Sequence, residues 1–179
     1  VDVAAGASYD QNNGLTGNLI SSGTTTLAGN VSGTVAQSAG SVTVDGASTL
    51  TGAVTISGGS FTASAQTTLG AGLSNDGTLD INAAVLGGQT LTNTKAATIG
   101  ANITGSFVQN TDAAATTTVD GDANVSGGLD IDTGTLTVSA ALTGDVDVAA
   151  GASYDQNNGL TGTLTTAGGA DIDGDITGN

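Results

Sequence analysis

With 179 residues the chain is long enough for one ordinary domain, yet it uses a reduced alphabet with no Cys, His, Met, Pro or Trp and neither Glu nor Arg. Sixteen Asp stand against a single cation, Lys95, giving a net charge of −15, so no basic patch for nucleic acid or anionic lipid can form. No apolar run nears the roughly 18 residues of a membrane helix, and without His or Cys neither a Ser/His nor a Cys/His nucleophile system can be assembled.

Taken in chain order, the elements are short and alternate apolar with polar residues. Asn13-Gly14 forms the first corner, and Val42/Val44 and Val54/Ile56 then mark strands with one buried face. Gly58-Gly59 and Asp76-Gly77 allow left-handed turns around Leu79/Ile81, and Gly87-Gly88 and Gly127-Gly128 do so further on. Leu129/Ile131, Leu136/Val138 and Val146/Val148 continue the pattern. No 3.6-residue period is sustained, so helix is not expected. Strands of about three to five residues are too short for a hairpin meander to bury a face; stacked coils solve this, because each strand pairs with its copies above and below. The few large rings, Tyr9, Phe61, Phe107 and Tyr154, are expected to fill the core or one end of the coil section.

Internal repetition is the strongest signal. Val1–Gly17 and Val146–Gly162 share all 17 letters, VDVAAGASYDQNNGLTG, at an offset of 145, and similarity continues through Thr26–Gly33 against Asp171–Gly178. The chain therefore reads as one continuous segment, with a 145-residue repeat (1–145) and the start of the next copy (146–179). A second layer lies inside it. Thr26–Gln37 aligns with Thr98–Gln109 at 72, and Val44–Ile56 with Val119–Ile131 at 75, so each repeat comprises two half-units of about 73. Apolar anchors at Leu27, Leu50, Leu69, Ile99, Val119 or Val125, Leu142 and Ile172 recur at intervals that predict an all-β parallel β-helix, or β-solenoid, of about 20–30 residues per coil. Six coils of about 24 residues would make each repeat roughly 29 Å long. Open sheet edges at its ends would invite end-to-end association.

Asp132–Gly144 (DTGTLTVSAALTG) and Asn75–Gly88 (NDGTLDINAAVLGG) resemble the G-T-L-x-(V/I) rungs of autotransporter-associated β-strand repeats. More broadly the chain is similar to the repetitive stalks of large bacterial exoproteins and haemagglutinin-type adhesins. That resemblance implies a right-handed parallel β-helix outside the cell, at its surface or in a secreted matrix such as a biofilm. The expected function is a structural or adhesive fibre, stalk or sheath that associates with itself and touches surface carbohydrate. The alternative is a ligand-binding solenoid, for calcium-linked carbohydrate or for ice.

Catalysis is not expected. Lys95 reads as a solvated side chain rather than a lyase base, and the pairs Asp130/Asp132 and Asp120/Asp122 are the only glycosidase-like carboxylates of note. Asn110-Thr111-Asp112 echoes a polygalacturonase motif without its basic partners. No cofactor is expected, with calcium as the alternative: Asp171, Asp173 and Asp175 around Gly174, and Asp120 and Asp122 around Gly121, place hard oxygens two residues apart. Asp145/Asp147 is similar. No Glu completes an EF-hand, and alternate Asp can equally face solvent and keep a fibre soluble. The sequons at Asn30, Asn102 and Asn124 fall in one rung motif and read as repeat pattern rather than glycosylation. Thr clusters such as Thr24–Thr26 and Thr116–Thr118 raise ice binding, which needs in-register Thr pairs on every coil; uneven coil lengths argue against that register.

Overall fold

The computed structural model describes residues 1–110 and 112–178. They form a parallel β-solenoid of about ten turns. Every strand pairing within its sheets is parallel, as coil stacking requires. Each coil contributes to three ladders. The first sheet starts Asp2–Val3, Leu19–Ser21, Val35–Gln37 and reaches Leu164–Thr166; the second runs from Ser8–Gln11 to Gly169–Ile172 without leaving rung order. The third side is less regular. It links Leu15, Val31 and Leu50 by isolated bridges and later becomes a four-stranded sheet through Ala123, Leu142, Leu160 and Ile176.

The coil is shorter than the anchor spacing suggested, about 18 residues rather than 24. The reason is that the anchors lie on different faces. Leu27, Ile99, Val119 and Ile172 occupy one inward column of the second sheet, whereas Leu50, Leu69 and Leu142 belong to the third side. A step between such residues is not a whole number of coils. In the second sheet the ladder from Ser8 to Ser153 passes through Thr24, Ser41, Ser60, Thr78, Ala96, Thr116 and Thr135, so 145 residues make eight coils, not six. Four of those steps carry Thr24 to Ala96, an offset of 72. Both layers of sequence repetition thus close on whole coils, and the 145-residue unit rises about 38 Å at ~4.8 Å per coil.

Between the two end strands, the four-residue strands of the second sheet bury their second and fourth residues. The inward columns stack Val42, Phe61 and Leu79, and beside them Val44, Ala63 and Ile81. Phe61 and Leu136 share a column, as do Phe107 and Val35 in the first sheet, and all four are fully buried. Tyr154 is buried, Tyr9 half-buried. Each coil also closes the interior of its neighbour. Leu27 and Val31 are 0 % exposed beneath the next coil, while their repeat counterparts Ile172 and Ile176 in the last coil are 45 % and 37 % exposed.

The corner between the first and second sheets is finished by buried amides. Asn75 Nδ2 donates to Gly77 O at 2.9 Å and to Asn93 Oδ1 at 2.8 Å, and Asn93 Nδ2 donates to Lys95 O at 2.8 Å. Gln37 Nε2 bonds Gly23 O at 3.2 Å on the same corner. These side chains add a second hydrogen bond at turn carbonyls that already serve the next coil, since Gly23 O also accepts the Ser41 N–H and Lys95 O the Thr116 N–H.

Candidate functional site

Because the second sheet buries alternate residues, its first and third positions face outward. From Thr24–Leu27 to Thr135–Val138 these are Thr24/Thr26, Ser41/Thr43, Ser60/Thr62, Thr78/Asp80, Ala96/Thr98, Thr116/Thr118 and Thr135/Thr137. Twelve of these 14 positions are Thr or Ser, so two parallel ranks of hydroxyls run along the face. Asp10 below and Asp155 and Asp171 above bound the ranks. The hydroxyl bonds formed by inward Thr of this sheet, Thr25 with Ser21 at 3.0 Å and Thr117 with Gln109, lie on the buried side. Successive strands here are offset by as few as 16 residues (Ser8 to Thr24) and as many as 20 (Ala96 to Thr116), yet all four residues stay paired at both steps. The extra residues enter the loops. The first sheet is also paired rung by rung, with a register shift only at the corner between Val85 and Gln89, but its outward column mixes Ile20, Ala36, Thr55, Ser74, Thr92, Val108 and Asp130.

The chain matches no known family model, no curated protein and no solved structure.

The carboxylates are dispersed. Asp171, Asp173 and Asp175 are exposed around the last corner, and Asp120 and Asp122 flank Gly121, also exposed. Among the described residues no three acidic groups converge in a way that could hold a metal ion. Asp122 Oδ1 accepts the Ala141 N–H at 3.1 Å, and Asp145 Oδ1 the Thr163 N–H at 2.8 Å, so both carboxylates tie one coil to the next. Asn30 and Asn102, two of the sequon residues, do the same for the N–H groups of Thr49 and Asn124, each at 2.8 Å. This recurring bond gives the rung motif a structural role.

Asp130 lies directly beside Asp147 on the next rung. Partial burial, then repulsion from Asp132 and Asp147, pushes its carboxyl above the ordinary value of 3.8. A raised carboxyl favours the fold below that ordinary value, and the advantage is lost as pH rises through the folded-state pKa. Asp130→Asn should therefore raise the melting temperature at pH 7 and leave it unchanged near pH 3. An exposed charge pair of this kind is worth no more than about 1 kcal/mol. Thermal melts of both proteins at the two pH values check this. The neighbouring groove of about 280 Å³, lined by Gly128, Asp145, Asp147 and Thr163 among others, is open and shallow.

Lys95 is exposed, as expected of a solvated side chain, and has two carboxylate neighbours at the surface. Its Nζ lies 3.5 Å from Asp112 and 3.9 Å from Asp76, all on one corner of successive coils. The backbone N–H of Ala114 and the Lys95 charge hold the Asp112 carboxyl below its ordinary value. Of the Asn110-Thr111-Asp112 motif, Thr111 lies outside the described residues.

The hydroxyl ranks were only partly visible in the sequence, at Thr24–Thr26 and Thr116–Thr118. The signal that finds the others is the T-x-T or S-x-T triplet with a buried middle residue, as in Ser41–Thr43, Ser60–Thr62 and Thr135–Thr137.

Proposed function

We propose that this chain is a segment of a rigid structural or adhesive fibre on the outside of a bacterial cell, a stalk or sheath of the autotransporter or haemagglutinin type, with no catalytic role. The observation that carries the reading is the closure of the 145-residue repeat on eight coils. A repeat that closes on whole coils extends a rod without altering its cross-section. Stability in such an array is a sum over neighbouring coils, so length adds stiffness and protease resistance without a new core. The 16 Asp keep neighbouring rods apart, and divalent cations such as calcium bridge them loosely. Self-association and surface carbohydrate are the contacts this reading expects.

The test is electron microscopy of chains carrying one, two and three copies of residues 1–145. Each copy is expected to add about 38 Å to a rod of constant width. A calcium chelator is expected to disperse bundles and leave rod length unchanged. Particles that grow in width, or lengths that do not scale with copy number, would overturn the proposal.

A further inference from the structure

We infer that the outward face of the second sheet, from Thr24 to Thr137, is an ice-adsorbing surface. The inference goes beyond the fibre reading and does not depend on it. Ice offers a rigid two-dimensional lattice of hydrogen-bonding oxygens and no ions. A face that matches it must be periodic in two directions, stiff and nearly uncharged. Coil stacking sets one period at ~4.8 Å, and the two-residue step along a parallel strand sets the other at ~6.6 Å. Both lie close to repeat distances of the ice lattice.

Stiffness comes from the side chains and from what lies beneath them. Threonine is β-branched and holds few χ1 rotamers, and the strands stand on fully buried Leu27, Val42, Phe61, Leu79, Ile99 and Leu136. The hydroxyls both donate and accept, as lattice water does, and the methyls between them shed bulk water. Little ordering entropy remains to be lost on adsorption. Charge is almost absent from the face. Within the ranks only Asp80 is ionic, although the chain carries 16 Asp. A carboxylate pressed against ice would lose hydration without gaining a partner. The uneven coil lengths that would have destroyed the register are absorbed in the loops, so the second sheet stays in register at its shortest and its longest steps alike.

The experiment is inhibition of ice recrystallisation by the 179-residue chain in a sucrose solution, with far-UV circular dichroism to confirm folding. The parent chain is expected to arrest grain growth. Thr43→Tyr with Thr118→Tyr, which plants a bulky ring in each half of the ranks, is expected to abolish the arrest. Thr55→Tyr with Thr92→Tyr, on the outward face of the first sheet, is expected to retain it. Asp80→Thr, which completes the rank, is expected to arrest growth at a lower protein concentration than the parent; this variant carries the test if the tyrosine pair fails to fold. The inference is overturned if the parent lets grains coarsen, if the tyrosine pair folds and stays active, if the first-sheet control loses activity equally, or if Asp80→Thr brings no gain. Retention on crystalline cellulose or chitin without any effect on ice would also overturn it, in favour of a polysaccharide lattice.

Discussion

Gly59→Val is expected to lower stability by about 3 kcal/mol or more, read as a fall in the denaturant midpoint at unchanged slope. Gly59 sits at the corner entering Ser60–Ala63 with φ of 82°, a conformation that a β-branched residue adopts only under strain. Space is closed as well. A Cβ there would lie 2.2 Å from the Gly40 carbonyl oxygen on the coil below. That oxygen already accepts the Ser60 N–H at 3.1 Å, and the Gly59 oxygen accepts the Thr78 N–H at 2.9 Å. The added side chain would push apart two coils along the seam that sets their register. Because coils are coupled mainly to their neighbours, the damage should be local. Hydrogen exchange should quicken first in Ser41–Val44, Ser60–Ala63 and Thr78–Ile81. Unchanged exchange in those strands would count against this account of the corner.

Phe61→Ala should cost about 3–5 kcal/mol, whereas Phe61→Leu should cost on the order of 1 kcal/mol. Phe61 is 0 % exposed and lies in the column between Val42 and Leu79, with small Ala63 as the next inward residue of its own strand. Truncation to Ala empties the largest position of this stretch, and a backbone locked into ladders on three sides cannot collapse to fill the void. Leucine is the tolerated case because the same column, four coils on, already holds Leu136 in a fully buried site. Denaturant titrations of the two variants provide the comparison. Equal losses would mean that the column does not adapt its volume from rung to rung.

Single residues explain which parts of the fold and the face were readable. Alternation at Val42/Val44 and Leu79/Ile81 determined strand and inward face directly, since side chains on a strand point in turn to opposite sides. The identity of Val1–Gly17 with Val146–Gly162 determined that the architecture is repetitive. Parallel stacking followed from strands too short to be stable in any other way. Coil length did not follow. Leu27 and Leu50 look like successive copies of one anchor, but they belong to different sides of the coil. A period of two says whether a residue points in or out and is silent on which of three interleaved ladders it joins.

The hydroxyl face was hidden for the same reason. Thr26, Thr43 and Thr62 stand 17 and 19 residues apart, an irregular series along the chain. The sequence by itself determined the solenoid, its repetition, its acidity and the inward side of each strand. Only the tertiary structure decided that eight coils make a repeat and that Thr and Ser from seven of them align in two ranks, because register is set by backbone pairing between coils, and the loops take up the differences in length.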